Sequence, residues 1–134
     1  MSRSIALFIE KLIPEALLLT RLNEVVSAGV ESLNYRNEAA TGFLIHLEYD
    51  AGFRQSAMLC WAAETLVIDD IRLAQTLAAS FSTRILLEPQ HMNLPGGYDW
   101  CLVTEDRQLC AVAVTELDDG LALHPGVPSV QLSS

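Results

Sequence analysis

The side chains in this sequence with the reactivity to do chemistry are Cys60, Cys101 and Cys110, His46, His91 and His124, and acids gathered at two turns. A thiol nucleophile needs a base within hydrogen-bond reach. The pairing to consider is Cys60 with His46, on the two arms of one hairpin. Packing is the competing role and the expected one, because a free Cys in apolar surroundings behaves as a small hydrophobe. The cysteines form no C-x-x-C pair and no His stands at ligand spacing from one, so neither a disulfide framework nor a zinc site is expected. No G-x-S-x-G, H-E-x-x-H, phosphate-loop or dinucleotide glycine motif occurs. The one double glycine, Gly96-Gly97, follows a proline in a loop with no helix after it to hold a phosphate. No catalytic residue, metal or cofactor is therefore expected.

The acids cluster as Glu105 with Asp106 and as Glu116 with Asp118 and Asp119. Two-carboxylate catalysis requires convergence on a cleft, and acids at turns are ordinarily solvated turn formers. Their functional alternative is a negative rim offered to an Arg- or Lys-rich partner, which Glu48 and Asp50 would extend. Trp61 and Trp100 sit in strands, where core packing is the usual role. Tyr98, Trp100 and Met92 also border the loop Gln90 to Tyr98, and aromatic anchors beside a loop are what interface hot spots are made from. The expected partner-binding set is Glu105, Asp106, Glu116, Asp118, Asp119, Tyr98 and Trp100.

Composition narrows the partner. The chain has 134 residues, 51% hydrophobic and 19% charged, enough for one domain with its own core. Seventeen acids against seven Arg and one Lys leave a formal charge of −9. That field repels phosphate backbones and anionic membranes and favours a basic protein. Mean hydropathy is +0.29, but no run of about 18 apolar residues could span a bilayer. The apolar run after Met1-Ser2-Arg3 meets Glu10 and Lys11 too soon for a signal peptide. The protein is expected to be soluble and cytoplasmic, with reduced thiols.

Stepping along the chain, Ser4 to Glu10 is a strand candidate. Pro14 and Glu15 open a helix whose inner stripe is Leu18, Leu22, Val25 and Val26 and which ends near Gly29. Val30 to Ala40 reads as a loop. Thr41 to Ala63 is a hairpin: Phe43, Ile45, Leu47 and Tyr49 make one apolar face, Leu44, His46, Glu48 and Asp50 a mixed one, Asp50-Ala51-Gly52 turns, and Ser56 to Ala62 returns as a mid-sheet strand covered on both sides. Asp69 or Asp70 caps a second helix with Leu73, Ala74, Leu77, Ala78 and Phe81 inward. Arg84 to Glu88 is an inner strand stopped by Pro89. Gln90 to Tyr98 is the segment expected to move. A meander follows: Asp99 to Thr104, Leu109 to Glu116 with Cys110, Val112 and Val114 on one face, and Leu121 to His124. The predicted architecture is one α/β (α+β) domain over 1–125, with two helices on one face of a mainly antiparallel sheet. Its core order is the β-α-β-β-α-β of ferredoxin-like folds plus a C-terminal β-meander. Residues 126–134 are expected to be a flexible tail.

The run DDIRLAQTLAASFSTRILLEP, from Asp69, followed by YDWCLVTEDRQLCAVAVTELDDGLAL, ending at Leu123, resembles the immunity proteins of bacterial polymorphic toxin systems, including those of contact-dependent inhibition. The likeness is one of pattern over about 40% of the chain: a helix, a strand, a W-x-L-V strand and a return strand ending in acids before Gly120. It implies a non-enzymatic inhibitor that binds a cognate toxin domain, often by charge complementarity, and it transfers no individual binding residue. A second reading, on size, acidity and mixed α/β content, is a secretion chaperone of the type III kind, working as a homodimer around an effector segment. The chain departs from that pattern by ending in strands and a Ser/Pro tail. A third is a small enzyme with an unrecognised Cys or carboxylate site.

Overall fold

The computed structural model describes residues 2–26, 30–32, 42–62, 68–89, 93–118 and 120–132. In chain order the elements are β1 (Ser2–Ile9), α1 (Glu15–Val26), β2 (Val30–Ser32), β3 (Gly42–Glu48), β4 (Gln55–Ala62), α2 (Asp70–Phe81), β5 (Ile85–Leu87), β6 (Trp100–Val103), β7 (Leu109–Val112), β8 (Val114–Glu116), β9 (Leu121–Leu123) and β10 (Val130–Leu132). Eight strands form one sheet in the order β10-β7-β6-β5-β1-β4-β3-β2, and β8 pairs with β9 in a small second sheet. Within it the segment β5-β1-β4-β3 is antiparallel throughout. It comes from the order β1-α1-β3-β4-α2-β5, which is the ferredoxin-like arrangement expected from the sequence.

Period-2 alternation sorts the strands into two faces. Ile5, Leu7 and Ile9 of β1, Ala57, Leu59 and Trp61 of β4, Ile85 and Leu87 of β5, and Cys101 and Val103 of β6 join Leu18 and Leu22 of α1 and Leu73, Ala74, Leu77 and Ala78 of α2 in one buried cluster. Both helices therefore cover the same face. Helix α2 starts where Asp69 accepts the Arg72 backbone N–H at 3.1 Å. It ends at Ser82, which takes the left-handed conformation and donates its N–H to Ala78 O. Arg21 ties the helices together, its Nε donating to Ser80 Oγ at 2.8 Å. No helix among the described residues is long and apolar enough to cross a membrane.

Four readings of the sequence change here, the first of them in both arms of the hairpin. The hairpin faces are inverted: Leu44, on the mixed stripe, is 1% exposed in the main core, while Leu47, on the apolar stripe, is 53% exposed. The helices cover the side that Leu44 and His46 occupy, and alternation reports that a strand has two sides without saying which is covered. For the same reason β4 lies mid-sheet yet is covered only in part on its second face, where Ser56 is 8% exposed and Met58 37%. Val30–Ser32, expected as loop, runs parallel to β3, Val30 opposite Gly42. The stretch Leu109 to Glu116 is two strands in different sheets. It breaks at Ala113, whose carbonyl accepts the His124 N–H at 2.9 Å.

That break lets the β8–β9 pair fold over the helix-free face. Val114 and Leu123 pack there on a second core of Phe53, Leu86, Leu102 and Val112. The fourth change is at the end of the chain. Within the segment expected as a free tail, Val130–Leu132 pairs antiparallel with β7, with Leu132 opposite Leu109. Backbone pairing with an open sheet edge holds a segment whose side chains give little strand signal.

Candidate functional site

The helix-free face has a covered half and an open half. Over β5, β6 and β7 it is closed by β8–β9. Over β1, β4 and β3 it carries Ser4, Ala6, Ile45, Leu47, Met58 and Cys60, none of them charged. Pairing of Ala6 with Met58 and of Met58 with Ile45 sets Ala6, Met58 and Ile45 in one row. Ala6, Leu47 and Met58 are exposed. An uncharged, solvent-facing stripe in a chain of net charge −9 is the opposite of what solubility alone would select.

At the border between the two halves lies a concavity of about 420 Å³. It is lined by Phe8, Glu88 and Trp100 from the main sheet, by Tyr49, and by Glu116, Leu117, Gly120 and Leu121 from the β8–β9 hairpin. Phe8 pairs with Leu86. Continuing the β1–β5 and β5–β6 registers puts Ala6, Glu88 and Trp100 in one row, so the concavity borders the uncharged stripe. The aromatic rings touch: Phe8 and Tyr49 are stacked with centroids 6.3 Å apart, and Trp100 meets Phe8 edge-on at 5.8 Å. Tyr49 is held by its hydroxyl against Ser56 Oγ at 2.8 Å.

Two glycines allow the walls to approach. Gly52, in the β3–β4 turn, has φ +68°, and a Cβ there would sit 2.2 Å from Leu121 O. That same carbonyl accepts the Phe53 N–H at 2.9 Å, locking the two turns together. Gly120 has φ +99° and its Cβ position is 3.0 Å from Tyr49 Cγ. Side chains at these positions would push the rim off the sheet.

The electrostatics are one-sided. Glu88 and Glu116 are exposed, and neither forms an ion pair among the described residues, where the pairs are Arg21 with Glu24 and Arg84 with Glu10. Arg54, nearby in sequence to Tyr49, spends its Nε on the Tyr49 carbonyl at 3.1 Å. The concavity thus joins aromatic surface to two carboxylates that have no ion pair among the described residues, a combination that recognises cations.

Of the residues expected to bind a partner, the structure brings Trp100 and Glu116 together here, with exposed Asp118 two residues on. Asp119 lies outside the described residues. Glu105 and Asp106 do not join them. They occupy the β6–β7 turn, about 10 Å of strand away from Trp100, where Asp106 accepts from Thr104 Oγ1 and Gln75 of α2 donates to Arg107 O at 2.9 Å. Consecutive turns of a meander leave at opposite ends, so the two acidic groups are separated by the geometry that created them. Tyr98 is also elsewhere, its hydroxyl donating to Pro128 O at 2.8 Å and strapping the loop to the C-terminal segment. Gln90 to Met92 fall outside the described residues, as does His91 as a possible ligand.

The Cys60–His46 pair does not form. His46 pairs with Ala57 on the helix-covered face and Cys60 with Phe43 on the other, so the sheet itself separates them. His46 instead bonds through Nε2 to Gln55 Oε1 at 2.8 Å, which also accepts the Ile13 N–H at 3.1 Å. Burial pushes the Cys60 thiol up and takes Cys101 up to about 11, the reverse of nucleophile activation. What the sequence reading missed is Phe8, Tyr49 and Glu88, each in a different element with no spacing to link them. No family model, curated protein or solved structure matches this chain.

Proposed function

We propose that this chain is a protein-binding inhibitor of the immunity type, acting in the cytoplasm, that docks a basic toxin domain over the helix-free face of its sheet. One observation carries the reading: Glu88 and Glu116, without an ion pair among the described residues, stand with Phe8, Tyr49 and Trp100 at the edge of the uncharged stripe Ala6, Ile45, Leu47 and Met58. That is the layout of an interface with an aromatic anchor and a charged rim beside it. The net charge of −9 supplies long-range attraction for a basic partner.

The reading requires a toxin domain encoded beside this chain, and the test is co-expression with that domain, scoring growth. Wild type should protect. Glu88→Arg with Glu116→Arg should lose protection while keeping the melting temperature, because both side chains are exposed. If the double reversal still protects and Leu47→Ser with Met58→Ser does not, the apolar stripe alone is the docking surface. That result would favour a chaperone holding an apolar segment. Failure of the wild-type protein to protect would overturn the reading outright.

A further inference from the structure

The charge and the aromatic lining of the concavity together select a particular cation. We propose that the pocket formed by Phe8, Tyr49, Trp100, Glu88 and Glu116 is a guanidinium site that takes an arginine side chain of a bound polypeptide, a proposal that rests on the protein-binding reading above and names what its anchor is.

Three cations compete for such a site. A trimethylammonium group is drawn to aromatic faces but has no N–H, so it would leave the acceptors of both carboxylates unused. A lysine ammonium can donate to them, but it is compact and strongly hydrated and gains less from aromatic surface. A guanidinium is planar and weakly hydrated, stacks on rings, and donates in a fixed fork that fits a carboxylate. Glu88 and Glu116, exposed and without an ion pair among the described residues, supply the acceptors, and Tyr49 and Trp100, both half-buried, supply the rings.

The chain already builds this combination once for itself. Arg84 donates through Nε to both oxygens of Glu10, at 3.1 and 3.2 Å, while its guanidinium carbon lies 6.0 Å from the centre of the Phe53 ring. The pocket repeats the same set of groups, acid and aromatic, with the arginine left to another molecule. Ala6, next to Glu88 by register, pairs with Met58, and the two give the rest of that polypeptide an uncharged surface to cross.

The experiment is a titration of the full chain, followed by ¹H–¹⁵N NMR of the two tryptophan indoles, with the amides of N-acetyl-arginine, N-acetyl-lysine and N-acetyl-trimethyllysine at constant ionic strength. Trp100 lines the pocket and Trp61 is buried in the main core, so Trp61 is an internal reference. The arginine probe should shift the Trp100 indole saturably and leave Trp61 unmoved. It should bind several-fold tighter than the other two, and Glu88→Gln with Glu116→Gln should weaken it about tenfold. Equal binding of all three probes would reduce the pocket to a charge effect. Tightest binding of trimethyllysine would reassign it to quaternary ammonium. Either result, or no saturable shift at all, overturns the guanidinium site. The protein-binding reading is judged separately by toxin protection, which survives these failures if the partner docks on the stripe without an arginine anchor.

Discussion

Replacing Gly52 by alanine tests the join that builds the pocket rim. At φ +68° an L-residue is held in the left-handed region, at a cost of about 1 kcal/mol or somewhat more. The new Cβ would also lie 2.2 Å from Leu121 O, a backbone atom with no rotamer by which to retreat. Moving that carbonyl stretches or breaks its hydrogen bond from the Phe53 N–H, now 2.9 Å long, worth about 1 kcal/mol net. It also loosens Leu123 from the second core. Together these give about 2–4 kcal/mol of destabilisation. With an unfolding entropy near 2.1 cal/mol/K per residue, each kcal/mol lowers the midpoint of a chain this size by about 3.5 °C, so Gly52→Ala should melt about 7–14 °C below wild type. Gly96→Ala is the control, because a Cβ there meets nothing within 4 Å. Thermal unfolding followed by circular dichroism reads both. If Gly52→Ala melts within about 2 °C of Gly96→Ala, the two turns are not in contact and the rim of the pocket has been drawn wrongly.

Leu77→Ala, at a position 1% exposed between α2 and the sheet, should cost about 2–5 kcal/mol in denaturant unfolding with an unchanged slope. Burial holds the Cys101 thiol at about 11 against an ordinary 9.0, so the folded state keeps a proton that the unfolded chain gives up between those values. This contribution to stability is intact below pH 9 and fades as pH climbs toward 11, by at most about 1.4 kcal/mol per pH unit. Comparing wild type with Cys101→Ala in denaturant from pH 7 to 10.5 should show a steeper alkaline loss in wild type; parallel curves would contradict the burial. Asp118→Lys, beside the pocket, should slow association with the partner about three- to tenfold at low salt, and Glu105→Lys, on the distant turn, should leave it unchanged, as read by stopped-flow mixing. Equal effects at both positions would mean that net charge alone steers the encounter.

Local signals carried much of the architecture. Asp69 or Asp70 before an apolar stripe at helical spacing placed α2 and its buried residues Leu73, Ala74, Leu77 and Ala78, and the structure assigns the cap to Asp69. Gly52 after Asp50 placed the hairpin turn, and Pro89 placed the end of β5. The alternation of β and α segments was enough for the β5-β1-β4-β3 order, since short connections and two one-sided helices leave few other ways to pack. Capping, turn chemistry and periodicity are properties of a few adjacent residues, and a sequence displays them directly.

Which side of β3 meets the helices was settled only by packing. Phe43, Ile45 and Leu47 look more apolar than Leu44, His46 and Glu48, but Leu44 is the residue in the core and His46 finds Gln55 there. Edge pairing by β2 and β10, and the break at Ala113 that turns β8–β9 over the second core, depend on backbone partners distant in the chain. The candidate site is the extreme case. Phe8, Tyr49, Glu88, Trp100 and Glu116 come from separate segments, and only the sheet register and two close glycine turns bring them to one concavity. The same strand geometry that separated Glu105 from Glu116 set Glu88 beside Trp100, because neighbours across a sheet are chosen by register and not by distance along the chain.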